Sequence, residues 1–298
     1  MQTPIRPIED QGLPEETVYA DDVDYFSFSK RALEEKEQKV PPTIGEFHLN
    51  ANQDKWERCF VTHEKDSTDS AGWRRAKKLG SLLGDEEDVN RRMALATVQF
   101  KSLVKLWDRP QCASLPSRMR AYNAFVLPVL MYNASTWGLS KSVEKKIEAF
   151  HRTQLRQVMG VKWPFVVSNK VLYKCCKAKP LGVTLRQLRW NLFGHVLRLS
   201  PDTPAQVAMD FYCNSVGEQK FKGRTQTTLP VLLFSEYHAL KQKRKAQKSA
   251  YTQKPSVALK ELRKVAKDRN EWAKLVKEVC EVFNFTTCSS NVSDEAEE

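Results

Sequence analysis

No apolar run in the 298-residue chain approaches the roughly 18 residues that a membrane-spanning helix needs, so no transmembrane helix is expected. The opening residues, Met1-Gln2-Thr3-Pro4-Ile5-Arg6, lack the apolar stretch of a secretory leader, and an intracellular place, nuclear or cytoplasmic, is expected. The seven cysteines, at 59, 112, 175, 176, 213, 280 and 288, are odd in number and form no C-x-x-C pair. Neither a disulfide framework nor a zinc ribbon follows from that pattern, and reduced, mostly buried thiols are expected. His151, Cys175, Cys176 and His195 match no familiar zinc spacing. Phosphate-binding loops, dinucleotide fingerprints, a Ser/His/Asp arrangement and solenoid repeats are also lacking.

Acid is the scarcest resource in the middle of the chain. Residues 89–213 hold 20 Lys/Arg against 5 Asp/Glu, a net charge of +15. Residues 1–88 hold 12 against 20, for −8, and residues 214–298 hold 16 against 11, for +5. A large field of one sign in the central segment fits a phosphate backbone as partner, with an unspecific solubility charge as the alternative. The composition, 41% hydrophobic and 28% charged, supplies enough apolar surface for a core.

Residues 18–29 read V-Y-A-D-D-V-D-Y-F-S-F-S, which predicts two strands joined by a tight turn at the Asp pair. Residues 30–39 are helix-prone, and Pro41-Pro42 is expected to break that helix. Weak strand candidates lie at 46–49 and 58–62, and 76–84 reads as a short strand or hairpin. Helical spacing begins at Val89, with Met93, Ala96, Phe100, Leu103 and Trp107 on one face. A second helix is predicted from Pro116, kinked at Pro128, with Met119, Tyr122, Phe125, Val126 and Val129 inward. A third covers 140–159, with Lys145, Lys146, Arg152 and Arg156 outward. A fourth is capped by Thr184 and lined by Leu185, Leu188, Leu192, Val196 and Leu199. Residues 200–230 look loose, 241–248 form a basic run on a solvated helix face, and one amphipathic helix is predicted over 257–283. The acidic last ten residues have the composition of a disordered tail. The resulting expectation is an α+β, mainly α protein with segments at 1–88, 89–213 and 214–298.

The sharpest chemical feature is Tyr19-Ala20-Asp21-Asp22. Adjacent carboxylates repel each other, and cations between them relieve that repulsion. Two magnesium ions held there would suit phosphoryl transfer, which needs position and positive charge more than a protein nucleophile. An Asp-Asp turn on an ordinary surface is the bland alternative.

The text around that tetrapeptide resembles the non-LTR, LINE-type, retrotransposon reverse transcriptases. Y-A-D-D is similar to their catalytic hairpin. Asn52-Gln53-Asp54-Lys55-Trp56-Glu57 is similar to their N-x-D-K-T-E stretch, with Trp56 in place of threonine. Trp73-Arg74-Arg75-Ala76-Lys77-Lys78-Leu79-Gly80-Ser81-Leu82-Leu83 resembles their primer-grip hairpin, K-x-L-G-S. Tyr122-Asn123-Ala124 with Pro128-Val129-Leu130-Met131-Tyr132-Asn133 and Thr136-Trp137-Gly138-Leu139, then His151-Arg152-Thr153-Gln154-Leu155-Arg156 and Leu188-Arg189-Trp190-Asn191-Leu192-Phe193-Gly194-His195-Val196-Leu197-Arg198, resemble thumb-side stretches. Gly223-Arg224 and Asp268-Arg269-Asn270-Glu271-Trp272 resemble tail motifs, and all these pieces occur in the family's order.

The resemblance implies a small β-hairpin palm remnant, then a helical thumb and a helical tail. It implies Asp21 and Asp22 as catalytic ligands of Mg2+ and Lys77, Lys78, Leu79 and Gly80 as holders of a primer end. Arg118, Arg120, Lys145, Lys146, Arg152, Arg156, Arg186, Arg189 and Arg198 are candidates to grip the phosphates of RNA, DNA or an RNA–DNA hybrid. Trp163 and Trp190 are candidates to stack on bases, with burial in a core as the favoured alternative. Only 18 residues precede Tyr19, so fingers, most of the palm and the third catalytic aspartate are expected to be absent. RNA-directed DNA polymerase activity, and productive magnesium binding, are therefore not expected of this chain alone. A non-catalytic helical nucleic-acid-binding protein, or a functionless transposon-derived product, is the alternative.

Overall fold

A computed structural model describes residues 15–59 (apart from 21, 28, 51, 53 and 55), 72–216 (apart from 110), 227–245 and 254–289. Among the described residues there are four strands, in two separate hairpins. β1 (Glu16–Tyr19) pairs antiparallel with β2 (Asp22–Tyr25), and Val18 faces Val23 while Tyr19 faces Asp22. The β-branched pair favours this register, and Ala20, which follows β1, has φ 55°. Asp22, the second residue of the Asp pair, opens the second strand. Asp21 lies outside the described residues. β3 (Lys77–Lys78) and β4 (Ser81–Leu82) form the other hairpin. Its turn residues, Leu79 and Gly80, have φ of 45° and 80°. Two successive positive values match the strand twist of a type I′ hairpin, and glycine takes the second without steric cost.

The rest of the described regular structure is helical: α1 (Lys30–Gly45), α2 (Asp85–Ser102), α3 (Val104–Asp108), α4 (Leu115–Ala121), α5 (Leu127–Leu130), α6 (Lys141–Met159), α7 (Asn169–Cys176), α8 (Leu181–Arg198), α9 (Pro204–Phe211), α10 (Leu229–Lys245), α11 (Pro255–Ala266) and α12 (Arg269–Ser289), with short 3-10 and π turns between some of them. The protein is therefore α+β and mainly α. Among the described residues, no helix is long and apolar enough to cross a membrane.

The chain divides into two compact units, each built from discontinuous stretches. One comprises Met1–Arg58, Val196–Lys220 and Lys254–Arg263; the other comprises Cys59–His195, Phe221–Gln253 and Lys264–Glu298.

In the first unit, Ser29 caps α1 by accepting the Ala32 N–H, and Lys30–Glu34 and Arg31–Glu35 support the exposed first turns. The helix runs through Pro41 and Pro42 instead of stopping there. Proline's fixed φ suits a helix, and what it removes is the bond to the carbonyl four residues back. No residue of α1 is buried, so water can serve those carbonyls. The expected strand at 46–49 is instead the turn that follows α1. The other strand candidate, 58–62, lies mostly outside the described residues. α9 starts with Thr203 at its N-cap and Pro204 in its first turn, a start signal within the supposedly loose 200–230 stretch.

The second unit carries the principal core. Phe100, Trp107, Tyr122, Leu130, Trp137, Ile147, Leu155, Leu172 and Leu185 are among its buried members. α2 begins with four acidic residues, Asp85, Glu86, Glu87 and Asp88, which the positive end of the helix dipole stabilises. It therefore starts before the apolar spacing does, and it ends at Ser102, short of Trp107. The predicted kink at Pro128 becomes a π turn at Tyr122–Val126 between α4 and α5. The wide turn relieves the proline ring's clash with the preceding carbonyl. It also leaves Phe125 exposed while Tyr122 and Val126 are buried.

α8 starts at Leu181, ahead of Thr184, and its buried face differs from the predicted stripe. Leu185, Arg189, Trp190, Phe193 and Leu197 are buried, whereas Leu188, Leu192, Val196 and Leu199 are only partly covered. The reason is aromatic packing. Trp190, Phe193, Phe234 and Trp272 form a set of edge-on and tilted rings with centroids 5.7–6.3 Å apart. The predicted helix over 257–283 is two helices, because Asp268 accepts the N–H groups of Asn270 and Glu271 and so starts α12.

Gly194 sits against this aromatic set, and a Cβ there would run into the Trp272 indole, whose Nε1 donates to the Trp190 carbonyl at 3.1 Å. Gly194→Ala should lower the unfolding free energy by about 1–3 kcal/mol, read from urea denaturation. An unchanged midpoint would mean that the indole can shift without penalty.

Candidate nucleic-acid interface

The second unit presents two features that bear on function: the β3–β4 hairpin and the outer surface of α6 and α7. The hairpin is held by side chains that the sequence motifs do not single out. The buried Asp88 accepts the Leu82 N–H through Oδ1 at 3.0 Å and the Trp137 indole N–H through Oδ2 at 3.0 Å. Its oxygen also faces Arg92 Nε at 3.6 Å. Arg91 and Arg92 both donate to the Gly80 carbonyl, and Tyr132 donates to the Leu79 carbonyl at 3.0 Å. The Arg92 guanidinium lies over the Tyr132 ring at 4.3 Å, a cation–π arrangement. The turn's carbonyls are thus consumed internally. What it offers outward is the exposed side chains of Lys77 and Leu79, with Lys78 half-buried. The Asp88–Arg92 spacing of four on one helix is the signal in the sequence that points to this support.

α6 is amphipathic by charge as well as by hydropathy. Val143, Ile147, His151, Gln154, Leu155 and Val158 are buried. Both acidic residues of α6 are spent on partners. Glu144 accepts from Arg189 at 2.9 Å, and Glu148 accepts from the Tyr173 hydroxyl and from the Gly182 N–H. The exposed positions are Lys141, Ser142, Lys145, Lys146, Ala149, Thr153 and Gln157, so α6 shows solvent no exposed carboxylate. Lys146 reaches Asn90 at 2.6 Å. On α7 and just after it, Lys170, Lys174 and Lys177 are exposed. In the last turn of α2 and the stretch after it, Lys101, Lys105 and Arg109 are exposed as well.

Several sequence candidates have other work. Arg118 is buried and donates to the Val158 carbonyl. Arg189 is 1% exposed, pairs with Glu144 and faces Glu236 at 3.8 Å, with Nε and Nη1 buried without a hydrogen-bond partner among the described residues. Arg186 donates Nε to Glu236 at 2.8 Å and lies over the Phe283 ring at 4.5 Å. Arg156 donates to the Val167 carbonyl and to Asn169 Oδ1. Arg152 is half-buried beside Tyr173. These corrections share one cause: a guanidinium has several donors and a long stem, so it can neutralise an internal acid or carbonyl as readily as a phosphate. Arg118, Arg186 and Arg189 do not present themselves to an external backbone. Arg120, Lys145 and Lys146 do, and Arg198 lies half-buried in the first unit.

Of the two stacking candidates, Trp190 is fully buried and donates to Glu236 at 2.7 Å, as its alternative reading expects. Trp163 is 93% exposed, against that expectation. The thiols also depart from expectation: Cys59, Cys112 and Cys175 are exposed, while Cys176, Cys213 and Cys280 are buried. Burial pushes the Cys213 thiol up to about 12.

Asp22, in the first unit, is exposed at the start of β2. Among the described residues no group of three or more His, Cys, Asp or Glu side chains is placed to hold a metal ion. With Asp21 outside the described residues, no magnesium-dependent step is derived. Comparisons with protein-family models, curated proteins and solved structures give no significant match.

His151 is buried in the interior of the second unit. Its Nδ1 lies 2.8 Å from the Tyr122 hydroxyl, which donates to Gln154 Oε1 at 2.9 Å. The neutral imidazole therefore donates from Nδ1. Burial, reinforced by Arg152, lowers its pKa from 6.5 to about 4.

Between its ordinary pKa and about 4, His151 takes up a proton only when the chain unfolds. Stability should hold above pH 6.5 and fall from there toward pH 4, by on the order of 1 kcal/mol per pH unit at most. His151→Gln should flatten that slope in denaturation curves; an unchanged slope would assign it elsewhere. Asp88→Ala should cost about 3 kcal/mol, because it strands the buried Arg92. It should also speed amide exchange at Leu82, and unaltered exchange there would remove Asp88 as the hairpin's anchor.

Proposed function

We propose that the second unit binds the sugar-phosphate backbone of an RNA, DNA or RNA–DNA duplex, using the exposed lysines of α6 and α7 together with Arg120 and the Lys77 hairpin. The observation that carries this reading is the direction of charge on α6. Its two carboxylates are occupied by Arg189, Tyr173 and Gly182, and its exposed positions hold lysines with small or neutral side chains between them. A backbone of regular negative charge fits such a face, and neutralising phosphates releases counterions.

We further propose descent from a reverse transcriptase of the non-LTR type, with the unit acting as its thumb. The order of the motifs supports it, as do the tight hairpin that carries Tyr19 and Asp22 and the type I′ hairpin carrying Lys77, Lys78, Leu79 and Gly80. Magnesium at Asp21 and Asp22 would belong to catalysis and not to this binding.

Binding of an RNA–DNA hybrid by the full chain should weaken linearly as the logarithm of salt rises. Lys145→Gln, Lys170→Gln and Lys174→Gln should each reduce that slope by about 0.9 for every phosphate left without its cation. Affinity that stays flat from low to high salt would overturn the reading. Chelating magnesium, or Asp22→Asn, should leave hybrid affinity unchanged; dependence on either would move the interface to the acidic hairpin. Template-directed nucleotide incorporation abolished by Asp21→Asn would add the catalytic reading to the binding one.

A further inference from the structure

Between α6 and α7 the chain exposes three large apolar side chains in a row of four residues: Trp163 at 93%, Phe165 at 76% and Val166 at 92%. Isolated exposed apolar residues need no explanation, but a cluster of this size on a single loop does. The loop has a built geometry. The Phe165 N–H donates to the Lys162 carbonyl at 3.0 Å, closing a four-residue turn with Trp163 at its corner.

Both feet of the loop are fixed by one residue of α6. The Arg156 carbonyl accepts the Val161 N–H at 3.0 Å on the way in. Its guanidinium donates to the Val167 carbonyl at 3.2 Å and to Asn169 Oδ1 at 2.8 Å on the way out. The aromatics are therefore held outward by a clamp. At the loop's base lies a cavity of about 160 Å3, lined in part by the stacked Phe100 and Trp107 rings, by Lys101 and Lys162, and by one acid, Asp108.

We propose that this loop is a stacking platform for an unpaired nucleotide, placed where a single strand leaves the duplex held by α6 and α7. The proposal rests on the nucleic-acid reading above and names the part of the ligand that the lysines alone do not read. The chemistry is complementary on both counts. An indole face stacks on any base without needing its sequence. Lys101 and Lys162 at the base, with Lys170 and Lys174 exposed on α7, supply cations for the flanking phosphates, and Asp108 is outnumbered. A purely apolar partner would leave those cations unmatched, and an isolated duplex would leave the aromatics without a partner.

The experiment compares two labelled RNA–DNA hybrids, one blunt and one with a short single-stranded extension, titrated with the full chain and followed by anisotropy. The wild-type protein should bind the extended hybrid about tenfold or more tightly than the blunt one. Trp163→Ala should abolish that preference and leave blunt affinity unchanged, and Trp163→Phe should restore part of it. Arg156→Gln, which frees the loop, should reduce the preference more than the blunt affinity. Because Trp163 is exposed, these Trp163 variants should keep the wild-type unfolding midpoint. Equal affinity for both hybrids, with normal salt dependence, would overturn the platform and leave the duplex reading intact. Absence of binding to either hybrid would overturn both. Binding to vesicles of phosphatidylcholine and phosphatidylserine that disappears in Trp163→Ala would assign the loop to a membrane surface instead, and overturn the platform.

Discussion

Neutralising buried charge is the constraint that shapes the larger unit. Arg92, Arg118 and Arg189 are all buried, and a buried guanidinium without an acceptor is costly. Carboxylates from within and beyond the acid-poor segment are drawn to that task. Asp88 serves Arg92 and two N–H donors, and Glu144 and Glu236 serve Arg189. The same arrangement sets the surface. Every carboxylate turned inward leaves an outward lysine with less competition, so the charge imbalance of residues 89–213 is more one-sided outside than in the composition. Internal stability and the one-sided outer charge are thus two results of the same allocation.

Packing then decides which residues are free for that surface. The aromatic set around Trp190 and Trp272 takes up one side of α8, and the Tyr122–His151–Gln154 network occupies the interior beneath α6. A polar network inside a core fixes orientation when all its members are satisfied, and here it sets which faces of α4 and α6 turn inward. α6 keeps its lysines outside because its apolar and hydrogen-bonded positions leave them nowhere else to go.

Much of this is legible in the sequence, and the exceptions have physical causes. α6 is readable because its apolar spacing is clean and Ser140 and Gly160 mark its ends. The β3–β4 hairpin is readable because Gly80 serves a positive-φ turn. α8 misleads because apolar residues occur all around it, so spacing alone does not choose a face. The arginines mislead because sequence gives charge but not direction, and Arg118 and Arg189 look identical to surface arginines until their partners are placed. Trp163 misleads in the opposite sense: a large aromatic is buried by default, and Pro164 marks a turn without telling which way the indole faces. Asp21 lies outside the described residues, and Asp22 stands in a unit described separately from the hairpin of Lys77 and Gly80.

The double tether of Arg156 has a bearing on speed. A loop whose feet are stapled to a helix gives up little freedom when its tip is occupied, because that freedom was surrendered when the chain folded. On the proposed reading, encounter with a strand end would need no rearrangement of the protein first. The rate of capture would be left to diffusion and to the long reach of the surrounding positive field.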